Sequence, residues 1–282
     1  MSNDIKPLYT YAGGKRRSLS NITPYLQRTA TYVEPFFGAG AVFCFMANLM
    51  RAKRFIINDI RADVMSVYRE IRDDLTNVIA ESEYLVGEYG GRSVGQKETF
   101  YYEIRDQYRK KTSAAKSLFL FNTNFGGIYH EKSGTGLYNA GSGHHGPGAN
   151  RKVLIDPEQL RLWHHVLLDT DICSGDFESV KIPEDDAIIY CDPPYHGAKL
   201  DYSSGFTTDD QSRCFRWCDA LARNTTVSVL MTNTDDDGLF ARLANGSRAT
   251  LVDYPINYSA GGHSKQVEIL IVWNQKRSHL IL

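Results

Sequence analysis

The chain of 282 residues contains no run approaching the roughly 20 consecutive apolar residues that a membrane span requires. Its opening, Met1-Ser2-Asn3-Asp4, lacks both the basic start and the apolar core of a secretory leader. These absences set the expectation of a cytoplasmic protein with no membrane partner. Cysteine is scarce: the five present (Cys44, Cys173, Cys191, Cys214, Cys218) show no paired ligand spacing. Cys214 and Cys218 share a helical spacing but have no His-rich neighbour, so free thiols in a reducing compartment are expected, and no metal site. Strong charge of either sign is also missing. The formal net charge is −1, so nucleic-acid binding would have to come from local basic patches. What remains is an ordinary globular balance, 42% hydrophobic and 23% charged, long enough for one sizeable core and a smaller second domain.

Short apolar runs and helical periods alternate along the chain. Residues 31–36 read as a buried strand that ends in a Gly-rich turn, with a helix over 41–50 and a second strand over 54–58. One long helix is predicted from Ala62 to about Tyr84, then helices over 98–111 and from the N-cap Ser113 to Asn122. Between Arg92 and Lys116 stand seven Lys/Arg against three Asp/Glu. Residues 134–148 hold six glycines, a stretch expected to carry no regular structure. Helix resumes near Pro157. Strands are expected over 171–173, 187–191, 227–231, 249–254 and 266–273, with a helix over 210–222. This order predicts an α/β fold on a parallel, Rossmann-like sheet, interrupted by a basic, helical, loop-rich insert. The boundaries drawn are 1–75, 76–165 for the insert, and 166–282.

Three constellations carry chemistry. In Glu34-Pro35-Phe36-Phe37-Gly38-Ala39-Gly40 a strand runs into Gly-x-Gly, which lets the backbone turn tightly and approach a ligand. Asp59, at the end of the next strand, stands where a carboxylate accepts ribose hydroxyls. The third glycine of a dinucleotide fingerprint is absent, which favours a nucleoside without phosphates, S-adenosylmethionine, over a nicotinamide cofactor. In Asp192-Pro193-Pro194-Tyr195 a strand delivers an acid to its carboxyl end. The two prolines remove donors, so the carbonyls there are expected to face outward as free acceptors. An exocyclic amine has two N–H donors, which the Asp192 carboxylate and the Pro193 carbonyl can accept. Tyr195 offers a flat surface for an extruded base. In Tyr11-Ala12-Gly13-Gly14-Lys15, Lys15 is a point cation suited to the methionine carboxylate.

Together these residues resemble the Dam-type adenine-N6 DNA methyltransferases (D12 class, alpha group). Asn58-Asp59-Ile60 and Gly175-Asp176-Phe177 strengthen the resemblance, and Lys265-Gln266-Val267-Glu268-Ile269-Leu270 looks like the family's terminal strand. The resemblance implies an S-adenosylmethionine-dependent sheet with a DNA-recognition insert. It also implies that Tyr11 and Lys15 contact the methionine end of the cofactor. Glu34, Phe36, Gly38, Gly40 and Asp59 would frame the cofactor, with Asp176 and Phe177 beside its adenine. Asp192 would lie between cofactor and target base, and Tyr195 would stack on that base. The expected partner is double-stranded DNA.

Within the insert, Arg105, Arg109, Lys110 and Lys111 are candidate phosphate ligands. Asn122, Asn124 and His130 belong to a stretch similar to the start of the family's recognition segment. The GATC-specific members place an arginine near the end of that segment. Here Tyr129 or His130 falls there, so the target sequence is not carried over. The paired histidines 144–145 and 164–165 read as surface or loop residues rather than ligands. The expected reaction is base flipping followed by direct in-line transfer, without metal or catalytic cysteine. Cytosine-N4 methylation is the nearest alternative, and a catalytically silent DNA-binding protein is the alternative from another class. A protein-glutamine methyltransferase would more often carry Asn in place of Asp192. A monomer or weak dimer is expected, with a cognate nuclease as a candidate partner in restriction-modification.

Overall fold

Strands that are apolar on both faces must be covered on both, and parallel sheets with helical crossovers meet that demand. The computed structural model describes residues 4–11, 14–15, 18–125, 131–132, 137–143, 155–195, 206–257 and 265–274. In chain order the first elements are α1 (Leu19–Ile22), β1 (Thr29–Glu34), α2 (Ala41–Asn48), β2 (Ala52–Ile57), α3 (Ala62–Asp73), α4 (Leu75–Gly90), α5 (Val94–Lys110) and α6 (Ala114–Thr123). There follow β3 (Glu131–Lys132), β4 (Leu137–Tyr138), α7 (Pro157–Leu168), β5 (Thr170–Ile172), β6 (Ala187–Cys191), α8 (Thr208–Leu221), β7 (Val227–Asn233), α9 (Leu239–Ala244), β8 (Thr250–Asn257) and β9 (Lys265–Trp273). The α1 and α9 helices escape a sequence reading because they are too short for a period to show. Among the described residues no helix is long and apolar enough to cross a membrane.

The chain divides into two compact units. One comprises Met1–Gly14, Gly38–Cys44 and Arg61–Ser174, and the other Lys15–Phe37, Phe45–Ile60 and Gly175–Leu282. In the second unit, six strands lie side by side in the order β2-β1-β6-β7-β9-β8. The pairs β1–β2, β1–β6 and β6–β7 are parallel, as the α/β alternation predicts. The sheet is nonetheless mixed, because β9 runs antiparallel between β7 and β8. β6 and β7 are buried at every position. The result is a Rossmann-like α/β sheet. Its register brings the ends of β1, β6 and β7 and the start of β9 to one edge: Val33 lies opposite Ile189, Cys191 opposite Met231, and Asn233 opposite Ile269.

The first unit is helical, built on aromatic packing. The Trp163 ring stacks on Phe43 at 5.3 Å and meets Tyr68 at 5.2 Å, while its Nε1 donates to the Lys6 carbonyl at 2.8 Å. Phe119 receives the ring edges of Tyr89 and Phe100. The predicted single helix over 62–84 is in fact two. Asp74, at φ −146 and ψ 51, leaves helical geometry, closes α3 on the Glu70 carbonyl and opens α4. The amphipathic period runs through the break, which is why the sequence does not show it.

The Gly-rich stretch also departs from expectation. Residues 137–138 form a strand paired with 131–132. Tyr138, 2% exposed, anchors it. The Tyr138 hydroxyl meets the Tyr101 hydroxyl at 3.2 Å and accepts from Asn124 Nδ2 at 3.1 Å. Tertiary hydrogen bonds thus offset the backbone entropy that glycine costs. Gly143 donates its N–H to the Thr123 carbonyl, and a Cβ there would lie 2.6 Å from the Asn124 carbonyl oxygen. Gly143→Ala should therefore cost about 1–3 kcal/mol in urea denaturation, by forcing two backbone segments apart. Gly141→Ala, whose Cβ would meet nothing nearer than 4.0 Å, should stay within about 0.5 kcal/mol of the parent. Equal midpoints for the two variants would contradict this packing.

Candidate active site

The buried strand β6 ends by pushing the Asp192 carboxylate to the carboxyl edge of the sheet. An ionised carboxylate there needs partners, since burying it alone costs several kcal/mol. The Lys15 ammonium supplies one at 2.6 Å from Oδ1, with Lys15 itself 5% exposed. The Thr232 hydroxyl donates to the same oxygen at 2.8 Å, and Thr232 is linked in turn to the Tyr190 hydroxyl at 3.0 Å. Asp192 keeps a little exposed surface yet is enclosed by protein. Burial pushes its carboxyl above the ordinary range, against the opposing pull of Lys15 and then Thr232.

The turn that follows is braced from below. The Pro194 carbonyl is not a free acceptor as expected: Gln211 Nε2, on α8, donates to it at 2.6 Å. The Gln211 side chain is fixed by Asn233 Nδ2, which donates to its Oε1 at 3.0 Å. Tyr195 presents its ring face to Lys15, whose ammonium lies 4.5 Å from the ring centroid. Its hydroxyl donates to Glu268 at 2.8 Å. Lys15, far from Asp192 and Tyr195 in the chain, thus contacts both.

Further along the same edge, the Glu34 carboxylate is 3% exposed and accepts from the Tyr32 hydroxyl at 2.8 Å. Asn58 ties three segments together: its Nδ2 donates to the carbonyls of Pro35 and Gly175, both at 3.0 Å, and its backbone N–H donates to Glu34. The Gly175 N–H donates to the Asp59 carbonyl at 3.2 Å. Asp59 is itself buried. Phe36 packs on Phe177 at 5.2 Å and on Phe206 at 5.9 Å. Asp176 accepts from both ends of the Arg213 guanidinium, at 3.1 and 2.8 Å, and that guanidinium lies 4.5 Å over the Phe177 ring. Hydrogen bonding from Arg213 holds the Asp176 carboxyl below the usual carboxylate range.

Tyr11, Gly38 and Gly40 belong to the first unit. Gly38 and Gly40 have φ of 52° and 68°, a left-handed backbone in which side chains are strained. A Cβ on Gly38 would also come within 3.1 Å of the Tyr11 ring. The Tyr9 hydroxyl donates to the Gly38 carbonyl at 3.1 Å.

The candidate DNA ligands fall into two sets. Arg105 donates to the Ala140 carbonyl at 3.2 Å, and Arg109 donates to the Tyr138 carbonyl at 2.9 Å and to Asn139 at 2.6 Å. Both arginines thereby brace the strand β4 and the residues after it. Asn122 donates to the Leu8 and Leu118 carbonyls, and Asn124 to Tyr138. Lys110 and Lys111 are exposed. His130 lies outside the described residues.

Thr232, Glu268, Asn58, Gln211 and Arg213 are site-building residues that sequence reasoning missed. For Glu268 one signal was available: it is a charged residue directly ahead of an unbroken apolar run, Ile269 to Trp273. The sulfurs can be set aside. Cys191, adjacent to Asp192, is buried against Cys218 (3.7 Å between sulfurs), and burial pushes its thiol well up, so it is a poor nucleophile.

The sheet, with carboxylates along its carboxyl edge and an antiparallel final strand, defines an S-adenosylmethionine-dependent methyltransferase. The chain belongs to the D12 class N6 adenine-specific DNA methyltransferase family, whose profile matches residues 11–253. It is 28% identical over 265 residues to the type II methyltransferase M.MjaIII of Methanocaldococcus jannaschii, covering 86% of this chain and 89% of that one. It is 28% identical over 276 residues to a DNA adenine methylase of Vibrio cholerae, covering 93% and 94%. A DNA adenine methylase of Escherichia coli K12 is 26% identical over 237 residues, covering 80% and 79%. Among solved structures, the human methyltransferase 10 domain containing protein aligns over 92% of this chain and 82% of its own at 8% identity and a TM-score of 0.37. So distant a likeness adds nothing to the sheet described above. The protein is therefore an adenine-specific DNA methyltransferase with S-adenosylmethionine as methyl donor and DNA as substrate.

The Lys15–Asp192 pair yields a test that does not depend on turnover. Lys15→Met removes the strongest influence lowering the Asp192 carboxyl, so that carboxyl should titrate at higher pH than in the parent, read by carboxyl carbon NMR. The sign for stability follows. A carboxyl raised in the folded state contributes stability at low pH that is lost as pH rises through the folded pKa. The variant should therefore lose more stability than the parent between acid and neutral pH. An unchanged Asp192 titration would mean that Lys15 does not set its charge state.

Proposed function

We propose that the enzyme flips an adenine out of duplex DNA and methylates its N6 by direct in-line attack, with Asp192 as the group that receives the amine. The observation that supports this reading is the buried Lys15 ammonium in contact with both the Asp192 carboxylate and the face of the Tyr195 ring. Extruding a base costs a few kcal/mol, which stacking on Tyr195 offsets. One amine hydrogen is accepted by Asp192 and the other by the Pro193 carbonyl, with Pro194 fixing the turn. Bending the amine toward a tetrahedral shape frees its lone pair. S-adenosylmethionine supplies an electrophilic methyl group. With the donor bound, in-line attack would form the N–C bond as the S–C bond breaks, and the amine would give up one proton to solvent, with no covalent enzyme intermediate. Rate enhancement comes from positioning and from the two acceptors.

The residues present suit such a donor. Glu34 and Asp59 are buried carboxylates fit for hydroxyl groups, and Phe36 and Phe177 are apolar faces fit for a purine. Asn58 Oδ1 is a buried acceptor that no described residue fills. Lys15 would turn to the cofactor carboxylate when it leaves Asp192, and Tyr11, Gly38, Gly40 and Asp176 complete the assignment. In this reading residues 76–165 recognise DNA, while 1–75 and 166–282 bind cofactor and catalyse. The enzyme acts in the cytoplasm as a monomer or weak dimer, with a cognate nuclease as candidate partner.

Asp192→Ala and Asp192→Asn should both abolish or severely impair transfer of labelled methyl to DNA while circular dichroism shows the fold intact, with thermal unfolding lowered because the buried Lys15 loses its carboxylate. Asp59→Ala should weaken S-adenosylmethionine binding by roughly 10- to 150-fold, the worth of a charge-assisted hydrogen bond, and leave DNA binding unchanged in calorimetry. Parental turnover in either Asp192 variant would sink the mechanism, and an unchanged cofactor affinity would remove Asp59 from the site.

Phosphate contact is assigned above all to the exposed Lys110 and Lys111, because Arg105 and Arg109 are engaged internally. Neutralising both lysines should weaken binding to all sequences alike, and the salt dependence should flatten by about one unit of slope for each phosphate left without its lysine. Substitutions over 122–130 should instead change which sequence is methylated in a randomised duplex library, since base-edge contacts specify and phosphate contacts position. An unaltered salt slope would remove the lysines from the interface, and an unaltered sequence preference would remove 122–130 from recognition.

A further inference from the structure

Glu268 is an anomaly of composition. It stands in β9 ahead of Ile269, Leu270, Ile271, Val272 and Trp273, all buried, and is itself 2% exposed. A carboxylate in such a place is retained only if its lone pairs are filled. Two tyrosine hydroxyls donate to the same oxygen, Oε2: Tyr254 at 2.9 Å and Tyr195 at 2.8 Å. They differ in kind. Tyr254 lies directly opposite Glu268 in the β8–β9 ladder, so sheet register holds it in place. Tyr195 lies beyond the end of β6, on the turn that follows the two prolines. Its ring is reached from two other segments, by Lys15 and by Glu268.

The direction of that ring matters. Stacking needs a face and makes no use of a phenolic hydroxyl. Yet the Tyr195 hydroxyl is tethered, and the tethered ring offers its face to the Lys15 ammonium, which lies 2.6 Å from Asp192. Rotation about the ring's side-chain bonds would turn an edge toward Lys15 instead. We propose that Glu268, held by Tyr254 across the strand pair, is a positioning residue that fixes the Tyr195 ring so that its face is directed at the Lys15 ammonium, the partner of Asp192. The inference rests on the reading of Tyr195 as the stacking surface, and it assigns the base of the tether to the last strand of the sheet.

The test uses the full-length enzyme with S-adenosylmethionine and adenine-unmethylated genomic DNA. The variants are Tyr195→Phe, Tyr195→Ala, Glu268→Met, Glu268→Gln and the double variant Tyr195→Phe/Glu268→Met. Tyr195→Phe removes one oxygen and keeps the ring, so it reports on the tether even if Glu268→Met fails to fold. A positioning role predicts that kcat falls by about tenfold to a hundredfold in Tyr195→Phe and in Glu268→Met, with KM for DNA and cofactor affinity little changed. Glu268→Gln, whose amide oxygen still accepts, should recover part of the loss. The double variant should be no slower than the worse single one, because both remove the same hydrogen bond. Parental kcat in Tyr195→Phe alongside an inactive Tyr195→Ala overturns the tether and leaves the stacking surface standing. Parental kcat in Tyr195→Ala overturns the stacking surface, and the tether with it. Additive losses in the double variant would show that Glu268 acts elsewhere.

Discussion

The ion pair between Lys15 and Asp192 is the constraint around which the carboxyl edge of the sheet is arranged. A strand buried along its whole length delivers a carboxylate to the sheet edge, where ionisation is costly without a cation and donors. Lys15 supplies the cation, and Thr232 supplies the donor from the neighbouring strand. That in turn requires β7 beside β6 in parallel register, so that both strand ends reach one level. The turn between carboxylate and tyrosine is then held by Gln211 and Asn233, and the tyrosine by Glu268. Lys15, Thr232, Gln211, Asn233 and Glu268 are all buried, and each is hydrogen-bonded or ion-paired to another polar group of the edge. Such a network rigidifies a site when fully satisfied and weakens it when one member is removed.

A second constraint governs the basic residues. The stretch rich in Lys and Arg looks from its charge like a phosphate-binding surface. Two of its arginines instead direct their donors at backbone carbonyls of residues 138–140. Arginine's planar fork suits this bracing, because several N–H groups can satisfy carbonyls that a short strand leaves open. The exposed lysines at the end of α5 carry no such duty on their surface, so the interior and the exterior of the basic segment do different work.

Much of the catalytic edge was legible because its chemistry is contiguous in the chain. Asp192, the two prolines and Tyr195 are consecutive, as are Glu34 to Gly40, and a short motif after a buried strand states where it will stand. The strands over 187–191 and 227–231 were legible for the same reason, being apolar runs too short for helices. The break at Asp74 was not, since an amphipathic period can continue through one residue of non-helical backbone. Nor was the strand at 137–138, where glycine content points one way and the buried Tyr138 the other. Local propensity loses there to contacts from α5 and α6.

The sequence by itself determined the α/β class, the main alternation of strands and helices on either side of the insert, and the acidic residues that follow β2 and β6. Those follow from periodicity and from motifs read within a few residues of one another. Only the tertiary structure decided that β9 enters antiparallel between β7 and β8, that Glu268 therefore reaches Tyr195, that Asn58 joins Pro35 to Gly175, and that Gln211 takes the Pro194 carbonyl. The reason is physical: hydrogen bonds of about 3 Å act over distance in space, and strand order, which no local pattern encodes, sets which residues share that distance.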